Sequence, residues 1–218
     1  MRKTSVGTLV VVICLAFTFA QSVASAAPVV TQPTGTVLAT GSYFAGVNVG
    51  EGKITTALGT VTCSTAKLEG TLSSNSTASG AKGSITSGTF SGTGTNGECT
   101  SWTGGVSVSE PTSGGLPLCA EATSSADELK LRGGSCSEFS RGMKFTLNFT
   151  SIGACLYSRT TAALGTLTTD TSGQDAAVSF SGQEWLAEAG NPFGCPSSGK
   201  LSMTFTVTAG GSPLYFSS

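Results

Sequence analysis

The chain has 218 residues, of which only 11 are Lys or Arg and 12 are Asp or Glu, with no histidine and a formal net charge of −1. The missing histidine excludes Ser-His-Asp and Cys-His catalysis and His-ligated metal centres, and no basic cluster exists to hold nucleic acid or an anionic membrane surface. Charge is replaced by Ser, Thr and 30 glycines, the composition of polar strand surfaces joined by tight turns in an extracellular β-protein.

Residues 1–26 read as a signal peptide: Arg2 and Lys3 supply positive charge, Leu9 to Phe19 an apolar run, and Ala24-Ser25-Ala26 a cleavage site. The apolar run is about half of what spans a bilayer, and no longer one follows, so the mature form is expected without a membrane span. Cys14 follows Ile13, where a lipoprotein signal requires a small residue, and is expected to leave with the leader. Removing Arg2 and Lys3 leaves 9 basic against 12 acidic side chains, a net charge of about −3. Cys63, Cys99, Cys119, Cys136, Cys155 and Cys195 remain, and an even number in an exported chain points to disulfides. Residues 27–34, with Pro28 and Pro33, read as a flexible lead-in, and residues 35–218 as a single all-β domain.

Period-two patterns follow in chain order. Val61/Cys63, Leu68/Leu72 and Ile85/Phe90 fit loosely, Val106/Val108 and Leu129/Leu131 more closely. The cleanest are Met143, Phe145, Leu147 and Phe149 alternating with Lys144, Thr146, Asn148 and Thr150, then Leu201, Met203, Phe205 and Val207, with Val178/Phe180 between them. Gly104 to Gly134 is the least patterned stretch and is expected to make a long excursion between sheets. Gln183 to Ala189 is the one candidate for a helical turn. An internal repeat orders Cys63, Gly70-Thr71-Leu72, Phe90-Ser91-Gly92 and Cys99 against Cys155, Gly165-Thr166-Leu167, Phe180-Ser181-Gly182 and Cys195. Of fifteen connectivities it favours Cys63 with Cys99 and Cys155 with Cys195, leaving Cys119 with Cys136. The expected fold is all-β, an antiparallel β-sandwich or barrel-like fold stabilised by disulfides, with two similar units at about 53–109 and 142–208 if the repeat is real. Cysteines this far apart lack zinc-ligand spacing, so no metal or cofactor is expected.

Residual catalytic chemistry is sparse. Ser64-Thr65-Ala66-Lys67 and Ser197-Ser198-Gly199-Lys200 match S-x-x-K, without the S-D-N or K-T-G elements that accompany it in penicillin-recognising enzymes. Asn75-Ser76-Thr77 and Asn148-Phe149-Thr150 are glycosylation sequons, which matter only in a eukaryotic source. Asp170 to Asp175 looks like half a calcium loop, lacks the later bidentate Glu, and reads as a hairpin turn. Glu184 and Glu188 would share a face if helical, beside Trp185 as a sugar-stacking ring, the chemistry of a glycosidase; the simpler expectation is a solvated surface turn with Trp185 as its anchor to the core. Trp102, Tyr43, Tyr157 and Tyr215 are dispersed, and buried anchors are the expectation for each.

The segments Cys155-Leu156-Tyr157, Leu164-Gly165-Thr166-Leu167, Cys195-Pro196-Ser197-Ser198, the strand to Val207-Thr208, and Pro213-Leu214-Tyr215-Phe216 together resemble a group of small exported proteins from high-GC Gram-positive bacteria. Gly59-Thr60-Val61-Thr62-Cys63 and Gly83-Ser84-Ile85-Thr86 are similar to their N-terminal halves. The resemblance implies secretion and an all-β fold and brings no catalytic residue. The function expected is a secreted or envelope-associated non-catalytic module, binding a protein or glycan ligand or acting structurally. The alternative is a secreted carboxylate-dependent glycan hydrolase using Glu184 and Glu188, and a third reading is an inhibitor presenting the Gly104 to Cys136 loop. The secreted form should begin at Ala27, which its intact mass checks; retention of Met1 or an acyl group on Cys14 would refute this.

Overall fold

A computed structural model describes residues 28–109, 115–123, 128–137, 142–168 and 176–217. The leader with Cys14 and the Asp170 to Asp175 segment lie outside the described residues. Among the described residues there is no α-helix, and every strand pair is antiparallel. No helix there is long and apolar enough to cross a membrane.

Strand β1 (Val29–Thr31) precedes a barrel of eight staves. Stave 1 is β2 (Tyr43–Asn48) and β3 (Gly52–Thr56), stave 2 is β4 (Gly59–Cys63) and β5 (Thr65–Ser76), and stave 3 is β6 (Gly80–Ser91) and β7 (Cys99–Ser101). Stave 4 is β8 (Gly104–Ser109) and β9 (Leu118–Ala122), stave 5 is β10 (Glu128–Gly133) and β11 (Met143–Phe149), and stave 6 is β12 (Gly153–Arg159) and β13 (Ala163–Thr168). Staves 7 and 8 are the unbroken β14 (Ala177–Ala187) and β15 (Ser198–Ala209), followed by β16 (Ser212–Pro213) and β17 (Tyr215–Ser217).

Both tiers close. The upper ring runs β2-β5-β6-β9-β10-β13-β14-β15 and back to β2. The lower ring runs β3-β4-β7-β8-β11-β12-β14-β15 and back to β3. The chain therefore meanders up and down around a single barrel, with each tier closed on itself. The repeated sequence elements occupy staves four apart: Gly70-Thr71-Leu72 in stave 2 and Gly165-Thr166-Leu167 in stave 6, Phe90-Ser91 in stave 3 and Phe180-Ser181 in stave 7. Both repeats thus contribute to the same two rings.

Side-chain alternation sorts the wall. Leu72, Ile85, Leu131, Leu167 and Phe205 are buried inward, while Leu164, Thr166, Thr168 and the ion pairs Lys82–Glu121 and Lys144–Glu188 face outward. This is the reverse of the polarity of a membrane-spanning barrel. In stave 7 the alternation changes phase. Phe180 pairs with Met203 but Gln183 with Leu201, so β14 holds one extra residue, accommodated by Gly182 at φ +59°. Val178 and Phe180 point inward before the bulge and Trp185 after it, which leaves Glu184 and Leu186 exposed.

The segment expected as a helical turn, Gln183 to Ala189, is thus mostly strand: Gln183 to Ala187 form the lower half of β14, paired with both β15 and β12. Part of the expected flexible lead-in is also strand. Val29, Val30 and Thr31 are buried and pair with β17, and Asn75 fixes them by accepting from the Val30 amide and donating to the Val30 carbonyl, both at 2.8 Å. The expected excursion from Gly104 to Gly134 instead contains β8, β9 and β10, joined by segments too short in pattern to announce themselves.

The three bridges are Cys63–Cys99, Cys119–Cys136 and Cys155–Cys195, the pairing favoured by the repeat. Two of them, Cys63–Cys99 and Cys155–Cys195, coincide with the weakest joints. β4 and β7 share the single residue pair Thr62↔Thr100, adjacent to Cys63–Cys99. β12 and β14 share Tyr157↔Ala187 and Ser158↔Leu186 alone, beside Cys155–Cys195. Each bridge is worth about 3 to 4 kcal/mol by loop entropy.

Deleting Gly182 would turn Glu184 inward and Trp185 outward, and should abolish the cooperative urea transition. Gly182→Ala, whose added Cβ meets nothing within 4 Å, should lower stability by only about 1 to 2 kcal/mol through left-handed backbone strain. A deletion variant as stable as wild type would refute the phase argument.

Candidate functional site

Among the described residues, inward side chains leave space in the upper tier and at the waist. In the upper tier, Phe44, Leu72, Ile85, Val178, Phe180 and Phe205 surround a cavity of about 80 Å3, with Val30 and Phe216 of the terminal strands also against it. At the waist, where staves 3, 4 and 5 are interrupted, a cavity of about 130 Å3 is lined by Ile54, Phe90, Leu116, Met143, Phe145 and Trp185 among others. β11 and β14 deliver its aromatic side: Phe145 stacks on Tyr157 with centroids 5.4 Å apart and meets Trp185 edge-on at 4.8 Å.

Two polar atoms in this cluster have opposite fates. The Tyr157 hydroxyl donates to the Pro196 carbonyl at 3.1 Å, and burial pushes its pKa up to about 12, so it stays a neutral, satisfied donor. The Trp185 Nε1–H is buried and has no hydrogen-bond partner among the described residues, a state that ordinarily costs about 1 to 3 kcal/mol.

The expected carboxylate pair does not converge. Glu184 is exposed on the outer wall, opposite Lys200 in the strand register. Glu188 is ion-paired with Lys144 at 2.6 Å, and that contact holds its carboxyl below the usual glutamate range. Four residues of extended chain separate their Cα atoms by about 13 Å, beyond the ~5 to 9.5 Å between carboxyls of glycosidase pairs. Trp185 lies on the other side of the wall and offers no sugar platform.

The two S-x-x-K matches also lie in extended chain. Lys67 is held by Glu69 at 2.5 Å, with the Tyr43 hydroxyl donating to the same carboxylate. The hydrogen bond to Glu69 raises the Lys67 pKa, the opposite of what a lysine general base needs. Ser197 and Lys200 are both exposed. Of the sequons, Asn75 spends its amide on Val30 and Leu38, and Asn148 donates to Ser109 Oγ at 2.9 Å. Trp185 and Tyr157 are the buried anchors expected, whereas Tyr43 is exposed and Trp102, 38% exposed, packs on Phe149 at the β7–β8 turn. Among the described residues no group of three His, Cys, Asp or Glu is placed to hold a metal ion.

The cavity was not singled out in the sequence reading. Phe145 and Met143 stand in the cleanest period-two pattern, which marks them as inward, but Trp185 falls out of phase because of the Gly182 bulge, and Leu116 lies in the unpatterned stretch. No protein-family model matches the chain, and no curated protein or solved structure matches it.

Lys67 lowers the Glu69 pKa and Lys144 that of Glu188. A depressed carboxyl stabilises the fold fully above its unfolded pKa, and the contribution disappears as pH falls through the folded value. Urea midpoints should therefore fall on acidification below about pH 4.5, and Glu188→Gln should flatten part of that slope. An identical slope in the variant would refute the assignment.

Proposed function

We propose that the protein is an exported, non-catalytic binding module of the extracellular or envelope compartment, and that its recognition chemistry lies inside the barrel. One observation carries this reading: chemistry is inverted across the wall. Glu184, Glu188, Lys67, Lys200 and the ion pairs are on the outside, apart from one another, while the interior is apolar and incompletely filled. A reaction centre needs its acid, base or nucleophile to converge on one point of a cleft, and these groups do not. An eight-stranded barrel with an apolar interior is instead a scaffold able to enclose one small ligand. The bridges at the weak joints of the lower ring fit an oxidising environment.

The discriminating experiment compares wild type with Glu184→Gln and Glu188→Gln on soluble cell-wall and other glycans. No hydrolysis should be detected in any of the three, and both variants should unfold within about 1 kcal/mol of wild type. Hydrolysis by wild type that disappears in either variant would overturn the reading in favour of a carboxylate glycosidase.

A further inference from the structure

Among the described side chains, one buried donor without a partner faces an occupant of the waist cavity, in a lining that is otherwise mostly hydrocarbon. Trp185 is 5% exposed, its ring is part of the lining, and its Nε1–H has no acceptor. Of the polar side chains at the cavity edge, Ser109 is exposed and its Oγ accepts from Asn148 at 2.9 Å, and Lys144 is paired with Glu188 at 2.6 Å, which leaves Trp185 as the buried donor without a partner. A water molecule seated there would bond Trp185 and lack the two to four partners that hold a buried water. An anion would find the one lining cation, Lys144, already paired with Glu188, and a cation would find no carboxylate among the described lining residues. The volume of about 130 Å3 is close to the ~150 Å3 of an apolar cavity that stays dry and accepts benzene.

We infer that the waist cavity is a binding site for a small, uncharged, compact apolar molecule carrying one hydrogen-bond acceptor, such as a monocyclic ketone or ether of about six to eight non-hydrogen atoms, seated with that acceptor on Trp185 Nε1. The inference rests on the binding-module reading and names the ligand chemistry of its interior. Specificity follows from the lone donor. A ligand of the same shape without an acceptor leaves the indole N–H unpaired, and a ligand with a second polar group buries that group unpaired. The upper cavity, smaller and lined by Phe44, Phe180 and Phe205 without an unpartnered donor among its described lining, has no such preference.

The test uses the disulfide-bonded protein with 15N-labelled indoles, titrated with cyclohexanone and with methylenecyclohexane, which has the same shape and no acceptor. Trp102, at the lower end, serves as the internal reference. Cyclohexanone should move the Trp185 indole proton downfield, leave that of Trp102 in place, and bind about tenfold more tightly than methylenecyclohexane. Trp185→Phe keeps an aromatic ring against Phe145 and should erase the tenfold preference. Leu116→Phe, which narrows the cavity without touching the donor, should weaken both ligands equally and checks the location of the site, while the indole shift in the wild type checks the donor should Trp185→Phe not fold. Equal affinity for the two ligands, or an unmoved Trp185 proton in saturating cyclohexanone, overturns the site. If the ketone instead perturbs only outer-wall resonances, the cavity assignment falls and the binding-module reading stands, whereas glycan hydrolysis overturns both.

Discussion

The lower ring holds only if its two thinnest joints hold. Between β4 and β7 a single residue pair connects neighbouring staves, and between β12 and β14 there are two, whereas the seams of the upper ring have at least four. Hydrogen bonds in such numbers, each worth about 1 kcal/mol net, do not close a sheet against the entropy of the chain around it. Cys63–Cys99 and Cys155–Cys195 lie beside these joints and substitute covalent closure for missing ladder. Asparagines reinforce the same places. Asn48 donates to Ser64 O at 3.1 Å and accepts from Ala66 N at 2.6 Å where stave 2 changes tier, and Asn191 accepts from Leu156 N and donates to Leu156 O, both at 2.9 Å, beside the β12–β14 joint. A side-chain amide has the donor and acceptor of a peptide group, so it can extend a ladder where the backbone has turned away.

Closing the wall creates a second problem, because aromatic rings from six of the eight staves converge on one axis. Glycine relieves it at the points of closest approach. A Cβ on Gly83 would stand 2.6 Å from the Phe44 ring, and one on Gly165 would stand 2.9 Å from Phe180. Substituting either would force the ring or the strand to move. The interior is therefore set by pairing large with absent side chains, and space is left over at the waist among Ile54, Phe90, Leu116, Met143, Phe145 and Trp185.

The all-β class, the strands around Met143 to Phe149 and Leu201 to Val207, and the disulfide pairing were legible because each rests on a local signal: strict alternation, or cysteine order within a repeat. Barrel closure was not legible, since it depends on β15 meeting both β2 and β3, partners more than 140 residues away. The lower half of β14 was misread for a different reason. One inserted residue at the bulge shifts the inward face, so Trp185 and exposed Leu186 break the alternation that a strand should display. Glu184 and Glu188 looked like a pair only on helical geometry; in a strand the same spacing carries them apart. The Trp185 indole could not have been recognised as an unpaired donor before its phase was known.

The same long-range closure has a consequence for the order in which the molecule can be assembled. Thr208 Oγ1 reaches the Ala45 carbonyl across 163 positions of sequence, and β1 near one end of the chain is zipped to β17 at the other. A chain delivered N-terminus first displays stave 1 as a bare strand edge throughout the arrival of staves 2 to 7, and such edges are templates for pairing with other chains. Every partial product is an unclosed sheet with two sticky margins, and only stave 8 consumes both at once. The last stave made is thus also the one that withdraws the first stave from intermolecular pairing, so truncations that reach β15 should be felt at the opposite side of the sequence, as adhesion between chains rather than as the loss of a local segment.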